Sequence, residues 1–434
     1  MSGIAFLAQG PVASLDPTAR GRLLERGTSV DDAVRERTAS LISRVRREGD
    51  GALHALAREF DGVTLDTLEV PRSEWRTSLA ALDATVRRAL ERAIMNVRAV
   101  HEAFRPIAGE ITTADGVVIG RRPDPLRTVG VYAPGGRATY PSSLLMGVVP
   151  ARVAGVAEVI VCSPPGAGGL PSSVLLAAAE LADADRVFAV GGAGAIAAMA
   201  FGTATIPRVD RIVGPGNAYV AEAKLQVAGA CAIDSPAGPS ELLIIADGSG
   251  DPDVIAIEMI AQAEHDPLAA VVLVSTDSAL LDRVDHSLAR LVPGQPRSGV
   301  VREAFAARGA LLLAASMDEA LSFASAFAPE HALAYCADGQ QVASRLRNAG
   351  TIFVGGSSSV AFGDYLTGAN HVLPTGGLAR SYSGLSTVDF YRWTTWQRID
   401  RAAAASLAED VGVLADAEGL PGHAAAGRQW KEAT

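Results

Sequence analysis

Cysteine is scarce in this chain. Its 434 residues include three cysteines, Cys162, Cys231 and Cys336, at wide spacing. An odd number of distant cysteines supplies neither a disulfide framework nor a cysteine-based zinc motif, so we expect a reducing, cytoplasmic environment. Cys231 lies in a β-like run and is expected to be buried and unreactive.

Long apolar runs are also absent. No segment approaches the roughly 20 consecutive apolar residues that a membrane-spanning helix needs. The first residues, MSGIAFLAQG, contain no basic region, and their apolar stretch is too short for a signal peptide. We therefore predict a soluble cytoplasmic protein without a membrane partner.

Negative charge outweighs positive charge. The chain has 38 lysines and arginines against 48 aspartates and glutamates, which gives a net charge of −10. Nucleic-acid binding needs a basic face for the phosphates, so this balance argues against a nucleic-acid partner. Hydrophobic residues make up 49% of the chain, which is enough for buried sheets, and a chain of 434 residues predicts two or more domains.

The hydrophobic pattern changes along the chain. The first hundred residues have helical spacing, and from about residue 127 short β-rich runs alternate with helical ones. Strands are predicted for RTVGVYAP, AEVIVCSPP, RVFAVGG and RIVGPG, and then for ELLIIAD, AAVVLVST, ALLLAAS and GTIFVGG. Strands that are apolar along their whole length and separated by helices indicate parallel sheets covered on both faces. The sequence thus predicts the α/β class with two doubly wound sheets.

The end of the chain breaks this alternation. After about residue 386 it ends in an Ala-rich helical segment with Trp393, Trp396 and Trp430. This tail is too short to hold a core of its own, so we expect it to pack on another surface, such as a partner chain. In open α/β sheets, ligands bind outside the carboxyl ends of strands. Small and polar clusters follow several predicted strands: YAPGGRATYPSS, VGPGN and GDYLTGANH.

One stretch has the form of a dinucleotide fingerprint. The residues from Gly192 to Ala197 match G-x-G-x-x-A at a predicted helix start, where backbone N–H groups bind a pyrophosphate in Rossmann folds. The acidic residue expected at the end of the next strand is absent, because Asp210 precedes that strand. Small residues also occur at any tight strand–helix junction, so the signal is weak.

Gln262 and His265 are candidate metal ligands. Three positions apart on a predicted helix, they share one face. Zinc takes four ligands, and with Asp364 and His423 these residues would make a set. Glutamine is a rare ligand, however, and Asp266 and Pro267 stop the helix. The residues alone therefore slightly favour a helix cap.

Glu330 and His331 are candidates for acid–base catalysis. They follow Pro329, at a predicted break after a helix. A carboxyl group beside an imidazole can serve as a general base or water activator when partly buried, but an exposed turn explains the pair equally well. Asn217 and Ser240 also have two explanations, since each suits a helix cap or turn as well as a ligand contact.

Taken together, these segments resemble the histidinol dehydrogenase family. They run in family order from about residue 127 to 425, and the helical N-terminal region fits as well. The matching segments are GVYAPGGRATYPSSLLM, RVDRIVGPGNAYVAEAK, IDSPAGPSELLIIAD, AQAEHDP, APEHA, GTIFVGG, AFGDYLTGANHVLPTGG and EGLPGHA.

The resemblance implies two incomplete Rossmann-like domains and a tail exchanged between the subunits of a homodimer. The implied divisions are an N-terminal helical segment (1–26), a metal and substrate domain (27–131 with 239–385), an NAD-side domain (132–238) and the tail (386–434). The implied activity is oxidation of L-histidinol to L-histidine in two NAD-dependent steps, the last of histidine biosynthesis, through a bound aldehyde.

The resemblance also implies a role for each candidate residue. One zinc ion per subunit would be held by Gln262, His265 and Asp364, with His423 from the other subunit. Glu330 and His331 would be the acid–base pair. The substrate would be held by Ser240, His371 and Glu418, together with the zinc ligands and His331. NAD would contact Tyr132, Asn217 and position 194.

This chain departs from the family at position 194. Family members carry glutamine there as an NAD contact, whereas this chain has Gly194. The G-x-G-x-x-A match is then a by-product of that substitution. Loss of one amide hydrogen bond, of about 0.5–1.5 kcal/mol, would weaken NAD binding modestly, and a changed cofactor geometry is the alternative.

Three rival functions are open to the same residues. A related zinc- and NAD-dependent dehydrogenase could oxidise another primary alcohol, although His371, Glu418 and His423 suit an imidazole and an amine. A silent metal-binding scaffold would not need Glu330 and His331. A zinc hydrolase would need no cofactor and would leave Tyr132 and Asn217 unexplained.

Overall fold

Residues 4–27, 31–135 and 139–431 are described in the computed structural model of the chain. The strands of these ranges are β1 (Ala8–Pro11), β2 (Gly109–Ala114), β3 (Val117–Pro125), β4 (Thr128–Tyr132), β5 (Glu158–Ser163), β6 (Arg186–Ala189), β7 (Arg211–Val213), β8 (Ala232–Ile233), β9 (Glu241–Ala246), β10 (Ala270–Ser275), β11 (Gly309–Leu313), β12 (His331–Tyr335), β13 (Thr351–Val354) and β14 (Tyr391–Ile399).

The helices of the same ranges are α1 (Pro17–Leu24), α2 (Asp32–Glu48), α3 (Asp50–Leu56), α4 (Arg72–Ala80), α5 (Ala84–Ala103), α6 (Pro141–Ala154), α7 (Ser173–Leu181), α8 (Gly192–Phe201), α9 (Ala218–Val227), α10 (Pro252–Ala263), α11 (Ser278–Leu291), α12 (Ser298–Arg308), α13 (Met317–Phe327), α14 (Gly339–Arg345), α15 (Val360–Tyr365), α16 (Arg401–Ala417) and α17 (Pro421–Arg428).

Two parallel sheets organise the fold. One has six strands in the order β1-β11-β10-β9-β12-β13, and the other has five in the order β6-β5-β4-β7-β8. All neighbours within both sheets run parallel. The central strands β9 and β10 are buried at every position, as strands covered on both faces must be. The predicted α/β class with parallel sheets is confirmed.

Two strands of the six-stranded sheet were not predicted. β1 lies in the segment expected to be helical, and it pairs with the edge of the sheet at β11. β12 begins at His331, where a break was expected, and it pairs with both β9 and β13. Both runs are short, and neither is as rich in Val, Ile and Leu as β9, β10 and β11.

The N-terminal helices pack on the five-stranded sheet. α2 contacts α8 and α9, α4 contacts α7, and α5 contacts α6. Apolar residues of these helices, such as Val45 and Val97, belong to one core with the strands of that sheet. The expected grouping of 27–131 with 239–385 stays a prediction. The helices complete the cover of the nearer sheet, and the order of elements along the chain does not reveal that contact.

A third sheet connects the tail to the rest of the molecule. It is antiparallel, with the order β14-β3-β2, and β14 pairs with β3 over nine positions. The tail then continues into α16 and α17, which pack against each other. Several of their apolar side chains are exposed, among them Val413, Leu414 and Leu420. Within the described ranges, no helix has the length and apolar character needed to cross a membrane.

Candidate active site

A large cavity lies between the two parallel sheets. Its volume is about 1010 Å³. On one side it is lined by residues at the amino ends of β9 and β12, and on the other by the loops that follow β4 and β7. The candidate residues that line it are Asn217, Ser240, Gln262, His265, Glu330, His331, Asp364 and His371.

The position of this cavity corrects one expectation. Polar clusters were expected outside the carboxyl ends of the strands, and this holds for the loops after β4 and β7. In the six-stranded sheet the cavity instead lies at the amino ends, where Ser240 precedes β9 and His331 opens β12. The sheets thus meet the cavity with opposite edges.

Glu330 and His331 are buried at the start of β12. Glu330 exposes 7% of its surface and His331 exposes 4%, so the exposed-turn interpretation is wrong. Their side chains approach to 3.6 Å, from His331 Nδ1 to Glu330 Oε2. The other ring nitrogen, Nε2, is buried without a hydrogen-bond partner and lies 3.6 Å from Asp364 Oδ1.

Burial and charge act on these groups in opposite ways. Burial raises the pKa of the Glu330 carboxyl group. Burial alone would lower the pKa of His331, but the neighbouring Glu330 and Asp364 carboxylates outweigh it and raise that pKa. Burial would likewise raise the pKa of Asp364, yet the adjacent His331 ring holds that pKa below its usual value. The three groups form one coupled set.

The expected zinc ligands of one chain all line the cavity wall. Gln262 is buried in the last turn of α10, and His265 follows the end of that helix and is exposed to the cavity. Desolvation at this wall lowers the pKa of His265, against the opposing effect of Asp364, and so favours the neutral imidazole that binds metals. Amide, imidazole and carboxylate are all donors that zinc accepts, so these residues fit the metal.

The fourth expected ligand lies elsewhere. His423, on α17, is exposed and does not line the cavity, and the same is true of Glu418 at the end of α16. Within the described residues, no three His, Cys, Asp or Glu side chains are grouped so that they could hold a metal ion.

Ser240 and His371 also line the cavity. His371 Nδ1 lies 2.7 Å from the carbonyl oxygen of Asp364, and its Nε2 lies 3.4 Å from the Ser143 hydroxyl. The first contact is to a backbone acceptor, so Nδ1 carries a proton and the neutral ring presents Nε2 as an acceptor.

A second cavity adjoins the first. It measures about 490 Å³ and is lined by Tyr132, Gly194 and Asn217, while Gly135 and Asn217 line both cavities. The Tyr132 hydroxyl accepts a hydrogen bond of 3.1 Å from the N–H of Gly192, and burial raises the pKa of Tyr132 to about 12. Tyr132 therefore stays neutral and bridges to the first turn of α8.

The position of Asn217 is compatible with both predicted roles, the helix cap and the ligand contact. Its side chain caps α9 by accepting hydrogen bonds from the N–H groups of Tyr219 and Val220, and the residue also borders both cavities. The N-termini of α8 and α9 thus both border the second cavity, where the positive ends of the two helix dipoles favour an anionic ligand.

The structure explains the glycine at position 194. A Cβ atom added there would lie 2.9 Å from Leu56 Cδ1, so a leucine side chain of α3 occupies the space beside it. Gly194 is buried in the first turns of α8. The small residues of the G-x-G-x-x-A stretch accordingly allow α8 to pack closely against α3 at the border of the second cavity.

Several lining residues were not singled out from the sequence. They are Tyr140, Ser143, Arg297 and Thr375. Glu241, which lies behind the cavity and contacts both Glu330 and His331, was also missed. Its position directly after Ser240 and at the start of a buried strand was the available signal, since a buried carboxylate needs a partner.

The fold and these cavities define a class: an α/β protein in which a cavity rich in imidazole and carboxyl groups adjoins a second cavity at two helix N-termini. The family model described as histidinol dehydrogenase matches residues 24–429. The histidinol dehydrogenase of Natronomonas pharaonis is 49% identical over 414 residues, covering 95% of this chain and 97% of the relative. That of Methanosarcina mazei is 46% identical over 404 residues and covers 93% of each chain.

A solved structure agrees with these relatives. The crystal structure of histidinol dehydrogenase from Elizabethkingia anophelis superposes with a TM-score of 0.93 at 30% identity and covers 98% of both chains. The chain belongs to the histidinol dehydrogenase family. It is an oxidoreductase of histidine biosynthesis, and the family implies NAD-dependent catalysis.

Proposed function

We propose that this protein oxidises L-histidinol to L-histidine in the large cavity, with His331 as the general base and Glu330 as the activator of water. The observation that carries this assignment is the environment of His331. Its Nδ1 contacts a carbonyl oxygen, its Nε2 is buried without a hydrogen-bond partner, and the residue lines the cavity. A ring held in this way offers one nitrogen for proton transfer.

The two oxidation steps use these groups in turn. In the first, His331 accepts the hydroxyl proton of histidinol while the alcohol carbon loses a hydride, which gives the aldehyde. Glu330 then accepts a proton from water as its oxygen adds to the aldehyde carbon. His331 releases its first proton to solvent; the hydrate then loses a second hydride and a proton to His331, which gives the carboxylate. Overall, one alcohol, one water and two NAD⁺ yield one carboxylate, two NADH and three protons.

The raised pKa of His331 suits this sequence. Glu330 and Asp364 stabilise the protonated ring, so the ring can take a proton from the substrate, and it releases that proton before the second oxidation. Burial of Glu330 raises its pKa, which brings this carboxyl group closer to the range of a general base that works near neutrality.

Gln262, His265 and Asp364 would hold a zinc ion, and His423 of a second subunit would complete the set. When bound, zinc supplies a Lewis-acid anchor for the imidazole and amine of the substrate. Ser240 and His371 line the same wall and would contact the substrate, and Glu418 would reach it from the second subunit. The negative charge of Asp364 also favours a cationic amine.

The second cavity would hold NAD. When bound, NAD supplies the hydride acceptor. The N-termini of α8 and α9 favour the pyrophosphate, and Tyr132 and Asn217 line the cavity where it would lie. Because Asn217 and Gly135 border both cavities, a cofactor held there would lie next to the substrate cavity.

The tail from residue 386 would be exchanged in a homodimer. Two observations support this. His423 and Glu418 lie outside the cavity of their own chain, and apolar side chains such as Val413 and Leu414 remain exposed on α16. Exposed apolar surface on a helix that carries site residues is typical of an interface. The mass of the purified protein in solution tests this directly, since a monomer would contradict it.

The proposed reaction is tested by counting NADH. Purified protein is given limiting L-histidinol and excess NAD, and absorbance is followed at the NADH band before and after chelation of metals. We expect two NADH per histidinol, lost on chelation and restored by zinc. One NADH would mean that the aldehyde escapes and that the roles of Glu330 and His331 are wrong. None, with zinc bound, would indicate another alcohol substrate.

A further inference from the structure

A buried ion pair lies behind the Glu330–His331 pair. Arg26 donates two hydrogen bonds to the Glu241 carboxylate, from Nε to Oε1 at 2.8 Å and from Nη2 to Oε2 at 2.9 Å. The side chains expose 0% and 2% of their surfaces. Neither residue lines the cavity. A fully desolvated pair is costly unless every remaining donor and acceptor is satisfied.

The surroundings satisfy this pair. Arg26 also donates to the carbonyl oxygens of Leu23 and Phe327, the latter at 2.7 Å, and its guanidinium group lies 3.4 Å from the centre of the Phe327 ring. Phe327 is the last residue of α13, three positions before Glu330. Arg26 therefore ties the end of that helix to Glu241, and its charge complements the helix C-terminus.

Glu241 in turn holds the catalytic pair through three contacts. Its backbone N–H donates to Glu330 Oε2 at 2.8 Å, and its Oε2 accepts from the backbone N–H of Glu330 at 3.3 Å. Its carbonyl oxygen lies 3.1 Å from His331 Nδ1. A carbonyl oxygen can only accept, so Nδ1 carries the proton and Nε2 remains the exchangeable nitrogen.

The same carboxylate also contacts the segment that follows His371. Glu241 Oε1 accepts a hydrogen bond of 2.7 Å from the N–H of Gly376, directly after Thr375, which lines the cavity. One side chain thus connects β9, β12 and the segment that follows His371. Its counter-ion comes from the N-terminal segment, 215 positions earlier in the chain.

We propose that Arg26 and Glu241 are positioning residues for the oxidation: they fix the Glu330 carboxylate and the His331 ring in the orientation that leaves Nε2 free for the substrate proton. The inference rests on the proposed roles of Glu330 and His331. It assigns a function to the N-terminal segment, which the sequence presented only as a helical extension. Arg26 and Glu241 contact neither substrate nor cofactor and act through the catalytic pair.

The test compares Glu241→Gln and Arg26→Lys with wild type in the zinc-loaded protein. Each variant keeps the size of the side chain but breaks the two-fold charged contact. We expect kcat to fall by about 10- to 100-fold, as for misplacement of a catalytic group by a fraction of an ångström. The KM values for histidinol and NAD and the zinc content should stay close to wild type.

Leu288→Ala is the matched control. Leu288 is buried in α11, in the core of the six-stranded sheet, and does not line the cavity. The Leu288→Ala substitution lowers stability by removing buried carbon atoms. The melting temperature of this variant should fall while its kcat stays unchanged. If Leu288→Ala lowers kcat as much as Glu241→Gln does, or if the Glu241 variant loses its zinc, the pair is merely structural and the inference is overturned.

A double variant sharpens this result. Arg26→Met and Glu241→Gln remove opposite ends of one contact, so combining them should lower kcat no further than the worse single variant. Multiplied losses would mean that the two residues act separately and would overturn the inference.

A spectroscopic readout needs no turnover. The spectra use ¹⁵N-labelled histidine at a pH above the raised pKa of His331, where the ring is neutral, and the His331 signals are identified by their loss in His331→Asn. The neutral ring of wild type should carry its proton on Nδ1. Glu241→Gln should show both tautomers. An unchanged tautomer in Glu241→Gln would overturn the inference even if wild type produced no NADH, whereas absence of NADH from wild type would overturn only the proposed function.

Discussion

The two parallel sheets meet the active-site cleft with opposite edges. The five-stranded sheet presents the carboxyl ends of its strands, so the N-termini of α8 and α9 face the cleft. The six-stranded sheet presents the amino ends of β9 and β12, so the C-terminal end of α10 faces it. Helix N-termini favour anions and C-termini favour cations. One edge therefore suits the phosphates of a dinucleotide, and the other suits a metal ion and a cationic substrate.

Each edge is fixed by a buried ion pair. Arg26 and Glu241 hold the Glu330–His331 pair on the six-stranded side. On the other side Lys224 pairs with Asp234, and both contact Gly214: the lysine donates to its carbonyl oxygen at 3.1 Å and the aspartate accepts from its N–H at 2.7 Å. One pair positions reactive side chains, whereas the other positions a backbone loop that ends at Asn217.

The two sides also differ in how they treat a buried histidine. His331 lies beside carboxylates, and its pKa is raised although burial opposes this. His101, on α5 in the five-stranded half, has no such partner, and burial lowers its pKa to about 4. Burial alone therefore does not make a reactive imidazole, and a neighbouring carboxylate decides whether a buried ring holds a proton.

The largest effect is expected from His331→Asn. It removes the only ring nitrogen assigned to proton transfer, so kcat should fall by about 10²- to 10⁴-fold, while NAD affinity, which depends on the other sheet, should hold. Steady-state NADH production and NAD titration measure both. His286→Asn is the control, because His286 is exposed on α11. A similar loss of NAD affinity in His331→Asn would contradict the division between the sheets.

Breaking the Lys224–Asp234 ion pair should instead affect NAD binding. Asp234→Asn leaves Lys224 buried without its counter-charge, and such a loss costs about 3–5 kcal/mol of folding free energy. The loop at Gly214 should loosen, so KM for NAD should rise more than KM for histidinol. Denaturant unfolding measures the loss of folding free energy. Initial rates, with one substrate varied while the other is saturating, measure each KM. Glu91→Gln, which breaks the half-exposed Arg87–Glu91 pair on α5, should change neither quantity.

The buried His101 predicts a pH dependence of stability. Its folded-state pKa of about 4 lies below the ordinary value of 6.5, so protons bind the unfolded chain more readily between these pH values. Its contribution to stability is complete above pH 6.5 and is lost as the pH falls toward about 4. His101→Gln should therefore show a shallower fall in melting temperature over this range than wild type does. Parallel curves would show that His101 is protonated in the folded state.

The smallest effect is expected at position 194. Gly194→Gln would restore an amide to the border of the second cavity, at the cost of moving Leu56. One hydrogen bond of about 0.5–1.5 kcal/mol would lower KM for NAD by roughly 2- to 10-fold. Gly194→Ala adds the Cβ atom without the amide and serves as the control. If the alanine variant lowers KM equally, the gain comes from the helix backbone and not from an NAD contact.

Sequence patterns predicted the parts of the fold that depend on local composition. The strands from β4 to β7 and the helices α6 to α11 follow the predicted alternation, because buried strands and amphipathic helices carry their pattern in neighbouring residues. The strands β1 and β12 were not predicted, since each is short and is stabilised by its partners across the sheet more than by its own composition.

The site was predictable in part. The roles of the predicted residues that line the cavity followed from the resemblance to a family. Taken alone, these residues had equally plausible structural roles. The Arg26–Glu241 contact was not predictable, because it joins residues 215 positions apart and depends on the packing of β1 and α1 against the six-stranded sheet. The exposed positions of Glu418 and His423 likewise required the fold.

The most direct test of the chemistry assigned to the six-stranded edge is the number of NADH molecules formed per histidinol by Glu330→Gln. In a single turnover with limiting histidinol, His331 can still take the hydroxyl proton, whereas water cannot be activated. We predict one NADH per histidinol and accumulation of the aldehyde, against two NADH for wild type. Two NADH at the wild-type rate would contradict the account, because the second oxidation would then proceed without Glu330.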